Sequence, residues 1–549
     1  MIEDAQPGAV PSTIVRKGDL MKSLELFAAI LLSAMMIFFL SVRATHAGAL
    51  WRDEAGAVQL AQLPKLSDIT ANFQHEAFPP PFPLLLRNYV ALFGATDASL
   101  RWFGFIVGVA VVVVAWFNSR ALGDRAPLLF LALFGLNATF LIWGTSLRGY
   151  GLGCVLLLLT LGLAAKAIRQ PTTANAVLAT LASIASVQIM VNAIPLITAI
   201  AASAFTVFLL QRRFRQATVV CFCAAACALS FVPYLKAYLD ADWNVPLKYP
   251  VTFLSLCEKL RLALEEGGPL IALFWYLAVP LIVFAGIWLW WILRRNRSFA
   301  EAHLLLFLIA VSVLPIFAYY AFLKILSYPM RPWYYLPLLC AVAGAVDLIG
   351  GILARIQWIN IARLFLAIAA LLFLPFTIWK SAHERLTDID LVAQKLQQDA
   401  RADDLIVINP WFLGISFNRS YHGVTPWLTL PAIGEHRIHR FDLVKMKMMS
   451  PNPIDDVIDA MKQTLKSGNR VWLVGGAHMP QPGTAPLSLP PAPNSQFKWS
   501  IDAYTRAWSQ QVAMFAQDHA LHGEFPNPMG SAVSGFEKVP LWMIDGWRD

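Results

Sequence analysis

Apolar residues along this chain come in long unbroken runs. They follow neither the 3.6-residue period of a surface helix nor the alternation of a half-buried strand. The runs are 22–42, 100–118, 126–144, 150–166, 174–191, 193–210, 217–235, 270–293, 302–322, 334–353 and 362–379. Each approaches the roughly 20 residues that a helix needs to cross a bilayer, so the pattern predicts an α-helical polytopic membrane protein with about 11 transmembrane helices. The turn between 174–191 and 193–210 rests only on Asn192 and Pro195. The first run, Leu24–Val42, is longer than the roughly 7–15 apolar residues of a signal peptide and is expected to remain as a helix.

The polar residues between the runs alternate in kind. Arg16, Lys17 and Lys22 precede the first run, Arg120 and Arg125 follow the second, and Lys166 and Arg169 follow the fourth. Arg212, Arg213 and Arg215 follow the sixth, Arg294, Arg295 and Arg297 the eighth, and Arg355 and Arg363 flank the turn after the tenth. Every second loop is thus short and basic, which places these loops in the cytoplasm. Residues 1–21 are then a cytoplasmic tail, 22–379 a multi-spanning domain, and 380–549 an extracytoplasmic segment. The outer loops are 43–99, where Pro79, Pro80, Pro81 and Pro83 limit helices, then 236–269, and a short aromatic one at 324–333.

Beyond residue 380 the pattern changes to that of a soluble fold. Residues 388–400 and 453–467 read as helices, Leu405–Asn409 and Val471–Val474 as buried strands. This alternation predicts a small α/β domain. It carries neither a GxGxxG nor a P-loop, and residues 477–498, rich in Pro, Ser and Ala, read as a loop.

Composition agrees with the pattern. Of 549 residues 58 % are hydrophobic and 14 % charged, against about 25 % charged in soluble domains. The net charge of +9 is scattered in small clusters between apolar runs, which argues against a nucleic-acid partner. The six cysteines have no histidine pair at metal-ligand spacing and read as small buried hydrophobes.

The candidate chemistry begins just past the first run, at Ala49-Leu50-Trp51-Arg52-Asp53-Glu54-Ala55-Gly56. Adjacent carboxylates here have an ordinary reading, since acids favour helix N-termini. Further along come His75-Glu76-Ala77-Phe78-Pro79-Pro80-Pro81-Phe82, then Leu100-Arg101-Trp102, Arg148-Gly149-Tyr150 and Arg331-Pro332-Trp333-Tyr334-Tyr335-Leu336-Pro337. This order of motifs, each at the outer edge of a run, resembles the GT-C glycosyltransferases. It is most similar to the branch of protein O-mannosyltransferases, lipid A aminoarabinose transferases and RgtA/B/C/D-like enzymes, over residues 20–380. The branch usually shows His-Pro-Pro-Leu-Tyr in its first outer loop, whereas residues 76–78 here separate His75 from the prolines.

The resemblance implies an enzyme of the cell inner membrane. It would take a sugar from a polyprenyl-phosphate carrier and pass it to an envelope acceptor: lipopolysaccharide, another glycan or a protein. It implies Asp53 as the general base, with Glu54 orienting the acceptor or tuning Asp53. A hydroxyl nucleophile gains roughly 10²–10⁴-fold from such a base. Arg148 and Arg331 would bind the donor phosphate, because a guanidinium fork matches phosphate oxygens. His75, Tyr150 and Tyr334 are candidate substrate contacts. Direct displacement by a single base would invert the anomeric centre. No metal cluster is legible, and a divalent ion is left open.

Structural readings stand beside these. An arginine near a helix end commonly snorkels to headgroups, and Trp333, Tyr334 and Tyr335 fit an interfacial aromatic belt. Two other functions also compete. A transporter or flippase of lipid-linked glycans tends to show repeated halves and charged mid-membrane helices, neither of which is legible here. A glycan polymerase or ligase tends to carry its Arg and His in large later loops.

Overall fold

A computed structural model describes residues 12–123, 125–295, 299–327, 331–476, 487–526 and 533–549. Among them are nine helices long and apolar enough to cross a membrane: Leu20–His46, Asp97–Leu122, Tyr150–Arg169, Val191–Leu210, Phe214–Leu239, Pro269–Arg295, Ala300–Leu326, Pro332–Leu353 and Gln357–His383. The run at 174–191 forms a shorter helix, Thr173–Ile189. Helices Tyr150–Arg169 and Pro332–Leu353 are the innermost, and most residues of both are buried.

The run at 126–144 corrects the sequence reading, because it is not one continuous helix. A short turn at Leu128–Phe130 passes into widened turns at Leu131–Gly135 and Phe140–Gly144, broken at Leu136 and Asn137. Asn137 Oδ1 accepts the backbone N–H of Thr139 at 2.9 Å and so restarts the chain direction after the break. At the other end Asp347 Oδ1 accepts the N–H groups of Leu129 (2.9 Å) and Phe130 (3.2 Å). Irregular backbone at membrane depth is tolerated only inside protein, and all of residues 126–150 are buried. Two glycines let neighbouring helices approach this segment. A Cβ at Gly104 would lie 1.9 Å from the Thr145 carbonyl oxygen, and one at Gly151 would lie 1.8 Å from that of Gly144.

The first outer loop, expected at 43–99, holds helices Arg52–Ala61, Leu66–Asn72 and Pro81–Phe93. Arg101 ties its start to the second span: Nη1 meets Glu54 Oε1 at 2.7 Å, and Nη2 donates to the Ala49 carbonyl at 2.7 Å.

The C-terminal segment is the expected α/β domain. Its five-stranded sheet runs in the order Trp427–Thr429, Leu405–Asn409, Val471–Gly475, Leu541–Asp545 and His522–Glu524. The first three strands are parallel and the last two antiparallel to their neighbours. The two central strands, buried on both faces, are the two that the sequence marks. Leu405 and Val407 face helices Asp455–Lys466 and Ile501–His519. Ile406 and Ile408 face Ile389–Asp399 and Leu413–Ser420. A separate parallel pair, Arg385–Thr387 with Val533–Glu537, lies where the chain leaves the last span. Part of the proline-rich loop, 477–486, lies outside the described residues.

The domain is seated on the first outer loop. Gln59 donates to the Ile415 carbonyl (3.0 Å) and accepts from Asn418 (2.7 Å). Arg419 Nη2 meets Asp97 at 2.6 Å, and Ser416 Oγ and the Arg52 N–H both donate to Glu537.

Candidate active site

Helix Arg52–Ala61 follows the first membrane-spanning helix, and its first turn carries Asp53 and Glu54. Consecutive helical residues point about 100° apart, and the two carboxylates have different surroundings. Glu54 is fully buried: it pairs with Arg101 and accepts the Leu147 N–H at 3.0 Å. Asp53 faces a cavity of about 600 Å³.

The cavity's lining mixes two kinds of side chain. Asp53, His75, Glu76, Arg148, Lys248 and His439 are its charged and titratable members, with Tyr150 and Tyr334. Ile194, Phe231, Leu235, Phe322 and Leu326, from membrane-spanning helices, are among its apolar ones.

Glu76 organises the charged members. One oxygen takes Arg148 Nη1 at 2.9 Å; the other accepts from His439, the backbone N–H at 3.0 Å and ring Nδ1 at 2.8 Å. Arg148 also donates to the carbonyls of Asp53 and Glu76, both at 3.0 Å, and stacks over Phe78 at 4.6 Å. His439 Nε2 then lies 3.6 Å from Asp53 Oδ1. Helix Arg52–Ala61 comes close to Glu76 because residue 56 is glycine: a Cβ there would stand 2.6 Å from Glu76 Oε1.

Charge sets the protonation state of Asp53. Burial pushes the Asp53 carboxyl up, but Arg148, His439, Arg52 and Arg331 together hold it below its ordinary value. Asp53 is therefore ionised at neutral pH and able to accept a proton. Burial and Arg440 push His75 down, against Asp442, Glu76 and Asp242, which keeps that ring neutral.

The sequence candidates thus divide. Asp53, His75, Arg148, Tyr150 and Tyr334 meet at one cavity. Arg331 is exposed at the start of the turn Pro332–Tyr335, close enough for its charge to act on Asp53. Glu54 is turned into protein, held by Arg101, so it has no face on the cavity. Arg148 lines the cavity, yet its two terminal nitrogens already hold Glu76 and the Asp53 carbonyl. Glu76, Lys248 and His439 are further site residues that sequence reasoning did not select. Glu76 stood inside a quoted motif, as an acid directly before an apolar proline-rich turn. For His439 the signal was the density of His and Arg in His436-Arg437-Ile438-His439-Arg440. Among the described residues no group of three or more His, Cys, Asp or Glu side chains is placed to hold a metal ion.

No protein-family model matches the chain, and no curated protein matches it. Solved structures resemble it. The apo oligosaccharyltransferase of Archaeoglobus fulgidus has a TM-score of 0.50 at 12 % identity, over 93 % of this chain and 74 % of that one. ArnT from Cupriavidus metallidurans bound to undecaprenyl phosphate has a TM-score of 0.48 at 12 % identity, over 81 % of this chain and 92 % of that one. Archaeal AglB in complex with an inhibitory peptide and a dolichol-phosphate has a TM-score of 0.48 at 12 % identity, covering 95 % and 75 %. At such identity the likeness is one of fold. The polytopic helical body with its C-terminal α/β domain thus shares its fold with that oligosaccharyltransferase.

Proposed function

We propose that this chain is a glycosyltransferase that moves a sugar from a polyprenyl phosphate to an envelope acceptor at the outer face of the inner membrane. The observation that carries the proposal is the single amphiphilic cavity. Its lining joins an ionised carboxylate and cations to apolar side chains of the membrane-spanning helices. A lipid-linked sugar phosphate has the same mixed chemistry.

In this reading the acceptor hydroxyl attacks the anomeric carbon while its proton passes to Asp53. The bond from that carbon to the phosphate oxygen breaks, and the polyprenyl phosphate leaves with the electron pair. One displacement inverts the anomeric centre. Arg331 and Lys248, both exposed, supply charge-assisted donors to the phosphate. Arg148, fixed by Glu76, contributes a preorganised positive field. Glu54 and Glu76 are positioning residues: the first anchors the helix of Asp53 to Arg101, the second holds Arg148 and His439 in place. The basic loops lie in the cytoplasm, and the C-terminal domain caps the site from outside.

The test compares envelope glycans and glycolipids by mass spectrometry in a strain lacking the protein, complemented with wild type or Asp53→Asn. One sugar mass is expected to vanish on deletion and return with wild type. The variant, expressed at the wild-type level, is expected to lose at least about 10²-fold of transfer. Full restoration by Asp53→Asn removes Asp53 as the base. Unchanged glycans with accumulated lipid-linked sugar point to a flippase instead.

A further inference from the structure

A second polar cavity lies at the far end of the same helices. Helix Tyr150–Arg169 has Tyr150 at the Asp53 cavity and Arg169 at its other end, about 28 Å away at 1.5 Å per residue. Helix Asp97–Gly123 likewise runs from Arg101 beside Glu54 to Arg120. At this end Arg120, Arg125, Arg169 and Arg355 surround a cavity of about 370 Å³ that holds one carboxylate among its described lining residues, Glu301.

The four guanidinium groups are not equally engaged. Arg355 forks onto both oxygens of Glu301 at 2.7 and 2.9 Å, and Arg125 meets Glu25 at 3.0 Å. Arg169 donates to the Leu122 carbonyl at 2.7 Å, and Arg120 lies over the Trp116 ring at 5.6 Å. Neither Arg120 nor Arg169 meets a carboxylate among the described residues. The lining also includes the apolar side chains Leu122, Leu304 and Ile352. Cations beside apolar side chains at the ends of membrane-spanning helices match a phosphodiester headgroup joined to acyl chains. A soluble anion would have no use for the apolar side chains.

We propose that this cavity binds the headgroup of an anionic phospholipid, with Arg120 and Arg169 as the phosphate donors. Basic pockets between spans on the cytoplasmic side commonly hold such headgroups. The proposal stands apart from the transfer reaction, since it uses the opposite membrane face and none of the residues around Asp53.

Native mass spectrometry of the purified full chain tests it, with phosphatidylglycerol, phosphatidylcholine and inorganic phosphate as the probes. Wild type is expected to retain phosphatidylglycerol about tenfold better than phosphatidylcholine. Arg120→Gln/Arg169→Gln is expected to reduce that preference to about twofold or less. Arg213→Gln, which removes an exposed charge from the same face outside the cavity, is expected to leave it intact. Equal retention of the two lipids by wild type overturns the proposal, as does an unchanged preference in the double variant. Displacement of phosphatidylglycerol by millimolar inorganic phosphate overturns the lipid reading in favour of a free-phosphate site. If the double variant does not fold, the wild-type comparison and Arg120→Gln alone still decide.

Discussion

Asp53 keeps 22 % of its side-chain surface exposed, while Glu54, one residue on, keeps none. Their roles separate accordingly, and so do the expected effects of replacing them. Glu54→Ala leaves Arg101 buried without its carboxylate, which costs about 3–5 kcal/mol. A large drop in the thermal unfolding midpoint in detergent is the expected readout. Gly56→Ala tests the other contact of this helix. Alanine favours a helix interior over glycine by about 1 kcal/mol, but the new methyl group displaces the Glu76 carboxylate. The variant is expected to remain folded by circular dichroism while losing most transfer, because Glu76 no longer aligns Arg148 and His439. The sequence singled out Asp53 through its place after the first apolar run, and the structure sets it on the cavity. The same adjacency hid the difference from Glu54, which arises only from what each side chain meets in space. His439 was illegible as a site residue because it lies 363 positions from Glu76 and joins it by docking.

At the scale of elements, unbroken apolar runs disclosed the spans well. The same signal misled at 126–144, which is apolar but for Asn137 and Thr139. The break there is imposed by a polar atom within the run, Asn137 Oδ1, and by Asp347 from a later span. Replacing Asp347 by Asn keeps an acceptor for Leu129 and Phe130, whereas Asp347→Leu orphans both N–H groups. The leucine variant is expected to be the less stable of the two in detergent unfolding. The seam between the first outer loop and strand Val533–Glu537 has its own dependence on pH. Burial, only partly offset by Arg52, raises the Glu537 carboxyl from 4.5 to about 7. Between those values the folded state holds a proton that the unfolded state has lost, so stability falls as pH rises. Glu537→Gln removes this loss, worth up to roughly 3 kcal/mol. Its unfolding midpoint is expected to exceed that of wild type at pH 8 and to converge with it near pH 4.5.

Over the whole molecule, the membrane body and the C-terminal domain share one site. The sequence placed the domain outside and read its central strands, but not its contact with the first loop. That contact depends on Gln59, Asn418, Arg419 and Asp97, polar residues that look solvated when read singly. Because His439 belongs to the last-made part of the chain and Asp53 and Glu76 to the first, the cavity cannot be complete while synthesis is under way. Domains fold as they emerge, N-terminal first. All spans are therefore made before the C-terminal domain arrives to complete the cavity with His439. Under the proposed function, the nascent chain is inert toward carrier lipids until its final 170 or so residues are made and folded.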